Sequence, residues 1–181
     1  MIRVTDIPSM HKEHGQKSLA VFVLTCSTSR AEQKKQGLPV EDPSGDMIEK
    51  LMREAGHRVT GRKLIPDKIG LLRTTVRQFL RSEADAIIVT GGTGVSPSDV
   101  TIEAIAPMLE KELPGFGELF RRISYDTIGS SAMMTRATAG IVKGKAVFLL
   151  PGSPDAVATA VSKLIVSELG HVLSMARQQK S

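Results

Sequence analysis

At 181 residues, 41% of them hydrophobic, the chain is long enough to bury a sizeable core in one domain without disulfides or metal. Its 24 Lys and Arg against 19 Asp and Glu give a net charge of +5, spread along the sequence, which suits anionic ligands. With no Trp, one Tyr and five Phe it lacks the stacking platform of single-strand binders, and no zinc or basic-helix pattern appears, so nucleic acid is not an expected partner.

Cys26 is the sole cysteine, which rules out an intrachain disulfide, fits a reducing cytoplasm and reads as a buried apolar residue. Residues 1–18 read as a polar leader. Its His11 and His14 lie in a segment rich in Lys and Gly rather than on a helix face, which argues against a metal pair. The first apolar run, Leu19 to Leu24, is far too short to span a membrane, so the expectation is a cytoplasmic protein without membrane association.

That run is continuous rather than alternating, the mark of a strand covered on both faces. The hydroxyl-rich stretch Thr25 to Arg30 follows it, and the polar region Ala31 to Asp42 reads as a flexible loop. Asp42-Pro43-Ser44-Gly45 opens a helix to about Ala55 with Met47, Ile48, Leu51 and Met52 on one face, and Gly56 closes it. His57 to Leu64 is a second strand. Asp67 follows it, ahead of a helix from Ile69 to Arg81, and taken alone reads as a helix cap.

Ala86 to Thr90 is a third strand, and it runs into Gly91-Gly92-Thr93-Gly94-Val95-Ser96-Pro97-Ser98-Asp99 before a helix opening at Val100, capped by Ser98 or Asp99. Glycines let a ligand approach the backbone, and the helix start presents unpaired N–H groups to an anion. Taken alone, such a loop is the tight turn that any doubly wound protein needs. Pro97 stands where a dinucleotide fingerprint requires glycine, and no Gly-Lys-Ser/Thr is present for a P-loop.

Leu113 to Glu118 reads as a break before a helix from about Glu118 to Ile123. A segment through Met134 has helical character, and Ala137 to Val142 and Lys145 to Leu150 flank Lys143-Gly144 as a β-hairpin. Leu150-Pro151-Gly152-Ser153-Pro154 ends the last strand and leads into a long helix to about Met175, with 176–181 as a polar tail. The pattern predicts one α/β domain over 19–175, three-layered and doubly wound, with a mostly parallel sheet and an antiparallel edge hairpin.

In such a sheet the ligand lies beyond the carboxyl ends of the strands. The loops at Ser27, Asp67, Thr90 to Asp99 and Gly152-Ser153 all follow strand ends, so they share one rim. Two of them bring a carboxylate, and two carboxylates beside a phosphate-holding loop suit magnesium, which prefers oxygen ligands and bound phosphate.

Thr90-Gly91-Gly92-Thr93-Gly94 with Asp99-Val100-Thr101, Pro114-Gly115-Phe116-Gly117-Glu118 with Arg121 and Ser124, and Leu150-Pro151-Gly152-Ser153-Pro154 resemble the molybdopterin-binding proteins of molybdenum cofactor synthesis, the MoaB and MogA family. Ser44-Gly45 and Ile65-Pro66-Asp67 match as well, and the resemblance covers about Leu19 to Leu173. It implies a MogA-like fold and adenylylation of molybdopterin from Mg-ATP with release of pyrophosphate. Asp67 and Asp99 match the two acidic positions tied to that activity and are the expected catalytic and Mg2+-ordering residues. Thr90, Gly91, Gly92, Thr93, Gly94, Gly152, Ser153 and Pro154 would hold the pterin and its phosphate, with Ser27 lining the same pocket.

The resemblance further implies a homo-trimer or a hexamer, with Met108, Phe116, Leu119 and Phe120 as candidate apolar contacts, and a separate molybdate-inserting partner protein. Two positions depart from the family pattern. Ser98 stands where many relatives carry Arg, and Ser27-Thr28-Ser29-Arg30 replaces a shorter Ser-Asp-Arg or Ser-Asn-Arg stretch. The competing function is a carrier that holds molybdopterin for a partner without reacting it; both acids favour catalysis, and Ser98 favours the carrier.

Overall fold

The computed structural model describes residues 18–178. The leader up to Lys17, with His11 and His14, and the last three residues lie outside the described residues. Strands β1 (Ala20–Cys26), β2 (Arg58–Ile65), β3 (Ala86–Thr90) and β6 (Lys145–Leu150) run parallel, while β5 (Thr138–Val142) and β4 (Lys111–Glu112) form an antiparallel edge. The sheet order is β2-β1-β3-β6-β5-β4. Chain order leaves β1 in both directions, to β2 on one side and β3 on the other, which makes the β1/β3 boundary a topological switch point.

Alternate side chains of each central strand enter opposite cores, as a two-residue period requires. Val21, Val23, Ile88, Phe148 and Leu150 face one side, where they meet Ile48 and Met52 of α2 (Pro43–Glu54), Phe120 of α5 (Pro114–Ile128) and the inner face of α6 (Pro154–Ala176). Leu24, Ile87, Val89, Val147 and Leu149 face the other, under Leu72, Val76 and Phe79 of α3 (Ile69–Leu80) and Ile105 of α4 (Thr101–Ile105). Because both faces are covered, the strands read as unbroken apolar runs. Helix α6 is apolar enough over 23 residues to cross a bilayer on length and composition. Its Val157, Val161, Ile165, Leu169 and Leu173 are instead at 2% exposure or less in the first core.

Three local expectations are corrected. The stretch read as loop contains a helix, α1 (Thr28–Lys35), capped by the Ser27 side chain and burying none of its residues, so it shows no apolar period. The fifth helix begins at Pro114 rather than Glu118: proline fills the first helical position, where no intrahelical N–H bond is lost. Neither Ser98 nor Asp99 caps α4. Val100 is its N-cap, without a side-chain bond, and Asp99 Oδ2 accepts the Ser96 N–H at 3.0 Å instead.

The apolar residues singled out for oligomer contacts largely fill the monomer. Phe120 is 1% exposed, Phe116 packs edge to face on Phe148 at 5.4 Å, and Met108 packs against the second core. Leu119 is exposed, and so are Tyr125, Ile128, Met133 and Met134 farther along α5 and the turn after it.

Candidate active site at the switch point

Strand register places the site. Thr25 of β1 pairs with Thr90 of β3, which pairs with Leu150 of β6, while Cys26 pairs with Ile65 of β2. Four parallel strands therefore end level, and the turns after them open on one rim. Backbone bonds lock that rim: the Ser27 N–H donates to the Ile65 carbonyl at 2.9 Å and the Gly91 N–H to the Leu150 carbonyl at 3.1 Å. Ser44 Oγ donates to the Gly152 carbonyl at 2.7 Å, tying α2 to the β6 turn.

Above the rim lies a cleft of about 760 Å³. Ser27, Asp67, Gly91, Gly92, Thr93, Gly94, Asp99, Gly152 and Ser153, all expected from the sequence, line it together. Two further residues expected there stand behind it. Thr90 is 0% exposed and its hydroxyl donates to the Pro151 carbonyl at 2.7 Å. Pro154 opens α6 next to its cap Ser153, whose hydroxyl accepts the Ala156 N–H at 3.3 Å.

Glycine is required where the loop turns. Gly91 and Gly92 have φ of +94° and +64°, and a Cβ on Gly91 would collide with the Cys26 carbonyl. On Gly92 a Cβ would stand 2.5 Å from both Asp67 Oδ1 and Thr101 Oγ1. Thr101, fully buried, holds the loop from behind: its hydroxyl donates to the Gly91 carbonyl at 2.8 Å and its N–H to the Gly92 carbonyl at 2.9 Å.

The two carboxylates differ in their surroundings. Asp67 Oδ2 is bonded to Thr28 at the start of α1, while Asp67 Oδ1 is buried with no hydrogen-bond partner. A buried carboxylate oxygen without a donor is costly, and a cation or a bound hydroxyl would relieve it. Asp99 sits across the loop, its Oδ2 close over Gly94. Among the described residues no group of three His, Cys, Asp or Glu side chains gathers to hold a metal unaided. Two carboxylates do suit a hard cation that arrives with phosphate oxygens and water as its other ligands.

Burial pushes the Cys26 thiol up to about 12, against a bond to Thr101 that lowers it, and the Asp67 charge adds to the rise. It is a neutral, packed thiol at physiological pH and no nucleophile. Its neighbour Arg30 lines the cleft and supplies a fixed positive charge near the entrance of α1. The opposite wall was not legible in the sequence: Phe120, Ile128, Met134, Thr135 and Ala156 make it half apolar. Ser124, read only as part of a family pattern, also reaches it, with its hydroxyl donating to the Phe120 carbonyl at 2.7 Å. Arg121, from the same pattern, is not among the lining residues.

A polar rim with a glycine loop and two acids, sharing one cleft with a half-apolar wall, defines a doubly wound protein with a binding site at its switch point. The family model described as "Probable molybdopterin binding domain" matches residues 22–171. Molybdenum cofactor biosynthesis protein B of Bacillus subtilis (strain 168) is 41% identical over 172 residues, 94% of this chain and 97% of that one. The molybdopterin adenylyltransferase of Pyrococcus furiosus is 39% identical over 172 residues, 93% of this chain and 97% of that one. A crystal structure of a molybdenum cofactor biosynthesis protein B superposes with a TM-score of 0.82 at 40% identity, covering 91% of this chain and 99% of the other. The chain belongs to the family of molybdopterin-binding domains of molybdenum cofactor biosynthesis.

Proposed function

We propose that the protein adenylylates molybdopterin: an oxygen of the terminal phosphate of molybdopterin bonds to the α-phosphorus of ATP while the bond to the β-phosphate breaks and pyrophosphate leaves. The observation that carries this reading is the placement of Asp67 and Asp99 on one cleft with the glycine loop between them. Phosphoryl-type transfer asks for positioning and charge neutralisation rather than covalent help from the protein. The backbone of Gly91 to Gly94 and the turn at Gly152 and Ser153 would grip the pterin phosphate, Ser27 and Arg30 the near wall, and the Phe120 and Met134 side the ring system.

Magnesium would be held by Asp67 and Asp99, whose donor set fits it, and when bound would offset the charge of the ATP phosphates. Thr28 holds Asp67 in place, and the turn at Ser96 holds Asp99. Thr90 and Pro154 support the site from beneath. We place the reaction in the cytoplasm, in a single domain over 19–175, with a separate molybdate-inserting protein taking the product. A trimer or a pair of trimers goes with this reading; exposed Leu119, Tyr125 and Met133 are its candidate contacts, and light scattering at micromolar concentration would refute it by showing a monomer.

Asp99→Asn tests the catalytic reading against the carrier. Charge is lost, shape is kept, and the amide oxygen still accepts from Ser96. Molybdopterin binding should persist while pyrophosphate release falls about a hundredfold to a thousandfold. An unchanged rate would remove Asp99 from the chemistry. Equal loss of binding and rate would move it into the pterin pocket.

A further inference from the structure

The outer side of the glycine loop carries an ion pair that does not line the cleft. Arg136, just ahead of β5, donates Nε to the Thr93 carbonyl at 3.2 Å. Its other two nitrogens fork onto Glu103 of α4, Nη1 to Oε1 and Nη2 to Oε2, the latter at 3.3 Å. The bond to Glu103 raises the Arg136 pKa, with the Glu103 and Asp99 charges adding to it, and the same contact holds the Glu103 carboxyl below its usual range. Neither residue lines the cleft. They bound a second hollow of about 370 Å³ behind the loop, which shares Gly94 and Asp99 with the cleft.

Three successive loop carbonyls are therefore tied to groups outside the cleft: Gly91 to the Thr101 hydroxyl, Gly92 to the Thr101 N–H and Thr93 to Arg136. In a planar trans peptide the following N–H points opposite to the carbonyl, so fixing these three oxygens fixes the N–H directions of Gly92, Thr93 and Gly94. Thr101 is buried in the core and holds the first two rigidly. The third depends on a half-exposed side chain from another element, braced by Glu103. Ser98 lines the cleft and brings no charge, its hydroxyl lying 2.9 Å from Ser96 Oγ. The Asp99 charge reaches Arg136 and favours its charged form.

We propose that Arg136, braced by Glu103, is a positioning residue that holds the Thr93 peptide so that the Gly94 N–H faces the phosphate in the cleft. The proposal rests on the phosphate-gripping role given to the loop above. A lysine keeps the charge but, with one compact ammonium, cannot serve the Thr93 carbonyl and both Glu103 oxygens together.

The test compares wild type, Arg136→Lys and Arg136→Gln in backbone 15N order parameters of the free protein and in molybdopterin affinity by calorimetry. In both variants the order parameter of the Gly94 N–H should fall while those of β3 and β6 keep their wild-type values. The Kd for molybdopterin should rise about tenfold, the worth of one hydrogen bond to a charged group, and the KM for ATP should stay within about twofold of wild type. An unchanged Gly94 order parameter overturns the proposal. So does a fall spread equally through β3 and β6, which would make Arg136 a general stabiliser. A wild type that binds no molybdopterin would count against the proposed function, while the order-parameter comparison still decides whether Arg136 holds the loop.

Discussion

Thr28 and Asp67 grip each other across the cleft floor, 39 positions apart in sequence: the Thr28 N–H and hydroxyl both donate to Asp67 Oδ2 at 2.9 Å, and the Asp67 N–H donates back to Thr28 Oγ1 at 3.0 Å. The carboxylate sits at the N-terminus of α1, where the helix dipole favours negative charge. One oxygen is thereby occupied and the other, Oδ1, is left unpartnered against Gly92.

Thr28→Val should expose what this grip does. It removes the two bonds made through the hydroxyl while keeping the helix N–H and the side-chain shape. Because the pair is exposed to solvent, stability should fall by only about 1 kcal/mol, but a carboxylate free to swing should lower turnover roughly tenfold to a hundredfold. Thr28→Ser, which restores the hydroxyl, should recover most of the rate. Steady-state kinetics beside urea unfolding checks both numbers, and a Thr28→Val enzyme with full turnover would show that Asp67 needs no support.

Gly92→Ala and Gly94→Ala should separate folding from chemistry. At Gly92 the positive φ and two close oxygen neighbours combine, and the variant should lose about 2 to 4 kcal/mol. At Gly94 an added Cβ meets the Asp99 carboxylate, nearest at Oδ2 at 2.7 Å, on a side chain able to move. That variant should stay within about 1 kcal/mol of wild type in urea unfolding and lose most of its adenylylation, because Asp99 is displaced.

The sequence and the structure agree where burial imposes a pattern. The third strand, Ala86–Thr90, and the hairpin turn at Lys143-Gly144 were legible because both sheet faces are covered and the turn has its usual chemistry. The first helix was not, because Thr28–Lys35 buries nothing and is held by its Ser27 cap and by Asp67, a partner that only the fold brings near. The acids and glycines of the site stood out as polar groups after strand ends. The facing wall did not: Phe120, Ile128 and Met134 carry the same signal as any helix packing residue. Arg136 lay hidden for another reason, since its acceptor is a backbone carbonyl 43 positions away.

Acid should weaken the fold through Asp85, which fastens both ends of the described chain. Its Oδ2 accepts the Ala20 N–H at 2.8 Å and its Oδ1 pairs with Arg177 at 2.7 Å. Partial burial raises its pKa, but the Ala20 bond and Arg177 outweigh this and the net shift is downward. A depressed folded-state pKa gives stability that is fully present above the unfolded value and is lost as pH falls through the folded one. Asp85→Asn should therefore cost up to about 1 kcal/mol near neutral pH, limited by an Arg177 side chain that is 44% exposed. The gap between wild type and variant should close as the pH drops below about 4. Urea unfolding across that range measures it, and a gap that stays constant with pH would mean the charge plays no part.

Catalysis and storage make opposite demands on the cleft, since only catalysis releases pyrophosphate. The direct measurement mixes the purified protein with molybdopterin and Mg-ATP and quantifies pyrophosphate against adenylyl-molybdopterin. One pyrophosphate should appear for each adenylyl-molybdopterin formed, with both products abolished when Asp67 and Asp99 are replaced by Asn together. Firm molybdopterin binding with no pyrophosphate above the protein-free background would contradict it and leave the protein a carrier.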